Sequence, residues 1–105
     1  MAFLDVHANP NPKSWQAIPY LLDVQADLLA SLETRVVVPL YRQEAGTRQP
    51  IGRLTPVVPC LGRLHVAMVP ELAGVARRDL GAAVGDLRAM RSELLAALDL
   101  LFTGS

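Results

Sequence analysis

A chain of 105 residues, 51% hydrophobic and 19% charged, is long enough for one domain with one core, spanning 1–105, and too short for two ordinary ones. Ten basic residues against ten acidic ones leave a formal net charge of zero, which excludes an overall field able to hold a nucleic acid by counterion release. Neutrality on so apolar a chain favours self-association, and a homodimer that completes its core across a two-fold axis is expected.

In chain order, the opening "MAFLDVHA" has neither the basic start nor the long apolar stretch of a leader. No run in the chain reaches the roughly 18 residues of a membrane span, so the expected location is the cytoplasm. That segment and four later ones, "IPYLLDVQ", "TRVVVPL", "GRLTPVV" and "RLHVAMV", are short apolar runs punctuated by Pro and Gly, and they predict strands up to about residue 76. In the last of them Leu64, Val66 and Met68 alternate with His65, Ala67 and Val69, which predicts a sheet with two distinct faces and a half-buried His65. Pro39, Pro56 and Pro59 interrupt hydrogen-bond ladders and are expected at strand ends or on edges. Between the second and third runs, "ADLLASLE" reads as a helical turn or a loop. Its Leu28-Leu29 pair either plugs the core or presents itself to a partner, and composition alone favours the core. "YRQEAGTRQP", the most polar stretch, reads as an exposed hairpin connection, and "NPNPKS", within residues 8–16, is the one stretch whose composition leaves room for disorder.

After "ARRDLGAAVG" the period changes. Asp86 can cap a helix in which Leu87, Met90, Leu94, Leu98 and Leu101 recur at spacings of three and four, a single buried stripe. Leu95 and Phe102 fall beside that stripe, and Leu100 falls off it, so the last turn carries more apolar surface than one core contact requires. The whole is a mainly β fold with a C-terminal α-helix, its strands forming a small, strongly curved sheet or barrel.

Residues that carry chemistry are few. His7 and His65 have no Cys or carboxylate at ligand spacing, so neither a metal nor another cofactor is expected. Gly74, Gly81 and Gly85 lack the spacing and the Lys of a phosphate loop, and Ser14, Ser31, Ser92 and Ser105 lack a partnered base. The lone Cys60, in "VVPCLG", reads as a small buried hydrophobe. Arg77-Arg78-Asp79 reads as a solvated charge cluster. The five aromatic residues are too scattered for a base-stacking platform. What stands out is apolar exposure without catalysis, in Leu28-Leu29 and Phe102, the pattern of a protein that acts by binding.

The segments "LLDVQADLLASLETRVVVPL", "LTPVVPCLG", "GAAVGDL" and "LLAALDLLFTGS", in this order and spacing, resemble the CcdB family of toxins. The resemblance implies a fold shared with the MazF toxins, an SH3-like antiparallel β-barrel with a C-terminal helix, assembled as a homodimer. It also implies a non-enzymatic toxin that poisons DNA gyrase by binding its A subunit and is neutralised by a CcdA-like antitoxin. The family's gyrase contacts fall on Leu28, Leu29, Asp99, Phe102, Thr103, Gly104 and Ser105. Leucines replace the usual isoleucines at the first two, Asp99 stands for Asn, Thr103 for Trp and Ser105 for Ile. Those departures define an alternative, a CcdB-like protein that keeps its antitoxin but has weak, lost or different target activity. A MazF-like endoribonuclease is a further alternative, for which no basic groove is visible in the sequence.

Overall fold

In the computed structural model, which describes residues 2–43 and 52–104, the chain is organised around one long strand. Seven antiparallel strands are found among the described residues: β1 (Asp5–Ala8), β2 (Tyr20–Asp23), β3 (Thr34–Arg42), β4 (Val57–Cys60), β5 (Arg63–Ala67), β6 (Ala73–Ala76) and β7 (Ala83–Asp86). β3 is rich in β-branched residues, Thr34 and Val36 to Val38, which suit an extended, half-buried backbone. One of its edges pairs with β2, from Asp23↔Val37 to Tyr20↔Leu40. Its other edge takes β6 against Thr34 to Val37 and then β5 against Leu40 to Arg42. The order β4-β5-β3-β2-β1-β7 curls into a half-barrel, with β4 and β7 at its ends. At the mouth, Leu61 of the β4–β5 turn reaches across to β7, where its Cδ2 lies 3.8 Å from the position a Cβ would take on Gly85.

Four of the five runs predicted as strands contain one; the other, "GRLTPVV", opens instead as a 3-10 turn (Gly52–Leu54) and enters β4 only at Val57, and two further strands were missed. β6 reads AGVA and β7 reads AVGD, sequences too small and too mixed to announce an extended backbone by themselves. They are strands because β3 and β1 offer them partners. Pro39 departs from expectation too, since it lies inside β3 rather than at an end. It falls in the gap between the β6 pairing, which stops at Val37, and the β5 pairing, which starts at Leu40, so that edge loses no ladder donor there. Its carbonyl is used, accepting the N–H of Met68 at 3.0 Å. Pro56 precedes β4 and Pro59 lies within that end strand, where prolines are tolerated.

The concave face of the sheet and one helix share the core. α1 (Arg91–Thr103) buries Leu94, Ala97 and Leu98 against Leu4, Val6, Leu22, Val38, Leu40 and Val58, while Met90 and Leu101 pack at the margin. Asp86 does not begin the α-helix. It ends β7, and its Oδ1 accepts the Arg88 N–H at 3.0 Å, turning the chain into a 3-10 turn (Arg88–Met90) whose N-cap is Leu87 and which leads into α1. A strand partner for Gly85 and Asp86 on β1 overrides the local capping preference.

Cys60 is buried, and burial pushes its thiol pKa up, which keeps it protonated and unreactive. His65 is buried rather than half-buried, 2% exposed, because both faces of the sheet are covered from that residue onward. It packs edge-to-face on Tyr20, with ring centroids 5.4 Å apart, and burial lowers its pKa so that the ring stays neutral. The "NPNPKS" segment is ordered by its own side chains: Asn9 Nδ2 donates to Ser14 Oγ and to the Ile18 carbonyl, and Asn11 Oδ1 accepts the Lys13 N–H. Of the polar connection "YRQEAGTRQP", Tyr41 and Arg42 belong to β3, and its remainder from residue 44 lies outside the described residues.

Gly81 is where the chain crosses β1 on its way to β7. A Cβ there would stand 2.5 Å from the Ala8 carbonyl oxygen, a backbone atom that cannot swing aside, and the Gly81 carbonyl faces Nδ1 of the buried His7 at 3.1 Å. Gly81→Ala is therefore expected to destabilise the fold by about 1–3 kcal/mol through overpacking. A thermal melt checks this, and an unchanged midpoint contradicts it.

Candidate functional site

β2 and β3 are antiparallel with Asp23 opposite Val37, so Arg35, two residues along β3 from Val37, emerges on the same face of the sheet as Asp23. The two side chains meet with no exposed surface. Asp23 Oδ2 accepts from Arg35 Nε at 2.8 Å and stands 2.6 Å from its Nη2. The other carboxylate oxygen accepts the Gln25 N–H at 2.9 Å and turns the chain out of β2. Beyond Gln25 the backbone forms a 3-10 turn, Asp27–Leu29, which buries none of its own residues.

This turn carries the leucine pair. Leu28 is 90% exposed and Leu29 45%, so the core reading of these residues is overturned. The backbone of the turn is held from beneath by polar side chains. Gln25 Nε2 donates to the Leu29 carbonyl at 2.9 Å, and Arg77 Nη2 donates to the Ala30 carbonyl. Arg77 is thus half-buried and engaged rather than part of a solvated cluster, while Arg78 and Asp79 are exposed as expected.

The turn faces the C-terminal helix across a cleft of about 420 Å³. Phe3, Val24, Ala26 and Asp27 form one wall; Arg91, Leu95 and Leu98 form the other. Asp27 Oδ1 accepts the Phe3 N–H at 2.7 Å, and the Arg91 guanidinium lies over the Phe3 ring, 5.5 Å from its centre, so the two walls are bridged. Phe102 follows Leu98 by four residues and Leu95 by seven, which places it further along the same helix face. It is 68% exposed. The 3-10 turn that bears Leu28-Leu29 contributes Asp27 to this cleft, and the helix that bears Phe102 contributes Arg91, Leu95 and Leu98, while the three exposed apolar side chains stand outside its lining.

The remaining predicted contacts cluster at the helix end. Asp99 and Thr103 are exposed, and the Thr103 hydroxyl donates back to the Asp99 carbonyl at 2.7 Å. Gly104 takes a left-handed conformation, φ 78°, and its N–H closes the helix on the Leu100 carbonyl at 3.0 Å. The last turn carries no basic residue, so the Asp99 carboxylate sits at the negative end of the helix dipole without compensation. Ser105 lies outside the described residues.

Sequence reasoning missed the framework of Asp23, Gln25, Arg35 and Arg77. One signal was present: Arg35 is a lone charge in the apolar run "TRVVVPL", and it shares a strand face with Val37 and Pro39. A larger cleft, about 760 Å³, lies between the Asn9–Ser14 segment and β6, away from the predicted contacts. Among the described residues no group of His, Cys, Asp and Glu gathers that could hold a metal ion, and no helix is long and apolar enough to cross a membrane.

Compared with known protein families, the chain matches the one described as CcdB protein over residues 3–104. No curated protein matches it.

Proposed function

The chain belongs to the CcdB family, and on that premise we propose that it is the toxin of a toxin–antitoxin pair: a homodimer that binds the A subunit of DNA gyrase, poisons the enzyme, and is neutralised by a CcdA-like antitoxin. The family's toxins are gyrase poisons and not enzymes. The gyrase-binding surface is Leu28, Leu29, Asp99, Phe102, Thr103, Gly104 and Ser105. The observation that carries this reading is the pair of exposed apolar side chains, Leu28 at 90% and Phe102 at 68%, on two elements that each contribute residues to one cleft.

A second reading, in which the antitoxin partner is kept and the target is bound weakly or exchanged, is favoured by the helix end. There Thr103 turns its hydroxyl back onto its own helix where the family pattern presents a Trp. An aromatic hot spot is worth on the order of 2–4 kcal/mol at an interface.

Expression in a gyrase-sensitive host separates the readings, using the intact chain beside a Thr103→Trp, Ser105→Ile version. Both are expected to arrest growth and induce DNA damage, the altered tail at lower expression. Killing by the altered tail alone selects the second reading. Growth unaffected by either overturns the gyrase reading, and cleavage of RNA by the purified chain overturns both.

A further inference from the structure

We infer that Gln25 is a positioning residue for the Leu28-Leu29 anchor; the inference rests on the gyrase-binding reading and deepens it. The 3-10 turn that bears the leucines has no buried residue, and Leu28 is 90% exposed, so packing does little to fix the direction in which that side chain points. Hydrogen bonds do so instead, and Gln25 is the hub. Its side chain is 6% exposed and uses both ends of its amide. Oε1 accepts the Val36 N–H of β3 at 3.1 Å, and Nε2 donates to the Leu29 carbonyl at 2.9 Å. The partners fix the amide's orientation, because an N–H needs the oxygen and a carbonyl needs the nitrogen. The Leu29 carbonyl also accepts the Leu32 N–H at 3.1 Å, so both of its lone pairs are engaged.

Gln25 is itself held from behind. Its N–H is bound by Asp23 Oδ1, and the neighbouring Val24 N–H by the Val36 carbonyl at 2.9 Å. The side chain therefore connects the central strand of the sheet directly to the carbonyl of an exposed leucine. Fixing that turn before encounter removes an ordering cost from binding, which is the use of preorganisation at an interface.

The test uses the intact chain, purified gyrase A subunit, and two variants. Gln25→Met fills the site without either hydrogen bond, while Gln25→Glu keeps an acceptor for Val36 and loses the donor to Leu29. Either is expected to bind gyrase A about tenfold more weakly, mainly through faster dissociation. Amide hydrogen exchange at Leu28–Ala30 in the free protein is expected to rise, with the β3 amides of Val37 and Val38 unchanged. In a Leu28→Ala, Leu29→Ala background, Gln25→Met should have no further effect on affinity. Parental binding with parental exchange in the turn overturns the inference, as does an equal loss of affinity with and without the leucines. If the unaltered chain does not bind gyrase A, the functional reading fails on its own, and exchange at Leu28–Ala30 still decides whether Gln25 positions the turn.

Discussion

Asp23→Ala is expected to lower stability by about 3–5 kcal/mol, the largest loss foreseen for any single residue in this chain. The size of the loss reflects the charge left behind. Arg35 has no exposed side-chain surface, and its guanidinium would remain in the sheet without the one carboxylate paired with it among the described residues. Arg35 Nη1 already has no hydrogen-bond partner among the described residues, so the group has no reserve of contacts to fall back on. For a domain of this size each kcal/mol moves the thermal midpoint by roughly 4–8 °C, so a fall of about 15 °C or more is expected in a melt. Removing both charges together, as Asp23→Leu with Arg35→Met, should recover most of the loss, because a packed apolar pair avoids the desolvation penalty. Equal destabilisation by the single and double variants would show that the geometry around the pair, rather than the stranded charge, carries the effect.

Phe102→Ala should do the opposite, leaving the fold intact while weakening the target interaction. With 68% of its surface exposed, the ring has little packing to lose, and its removal should change stability by no more than about 0.5 kcal/mol. At the proposed interface the same ring is a desolvated anchor, and its loss should cost on the order of 2–4 kcal/mol, about 30- to 700-fold in affinity for gyrase A. Titration with gyrase A beside a thermal melt checks both halves. A lower midpoint with unchanged affinity would place Phe102 in a structural contact, such as a helix-centred dimer interface, instead of the gyrase surface.

The two expectations differ because Asp23 and Phe102 lie at opposite ends of the same structural logic. The buried pair and Gln25 set the 3-10 turn in place from behind, and α1 sets Phe102 in place by burying Leu94, Ala97 and Leu98. Neither anchor contributes to the core that positions it. A surface assembled this way can change the residues proposed to meet gyrase, Asp99 and Thr103 among them, without disturbing the half-barrel.

By itself the sequence determined whatever depends on neighbours along the chain. The helix was legible because Leu87, Met90, Leu94, Leu98 and Leu101 repeat with the period of one turn, a local property that any core-facing helix must show. β3 was legible because a run of β-branched residues excludes most alternatives, and Cys60 because its neighbours are apolar. The candidate anchors stood out as an apolar pair and an apolar helix end, but general burial preference favoured the core for Leu28-Leu29, and only the resemblance suggested a partner for them. Tertiary structure decided the rest, in each case through a partner distant in sequence. β6 and β7 are strands because β3 and β1 pair with them; Pro39 is tolerated because β3 changes partners beside it; and Gly81 is required because Ala8 passes within reach of any side chain there. Arg35 finds Asp23 twelve residues away only once the β2–β3 register puts both on one face, and Gln25 finds Val36 by the same pairing. Gln25, buried by that pairing, then binds the carbonyl of Leu29 and holds the turn on the surface. Their exposure is a consequence of register, and register is fixed between strands rather than within one.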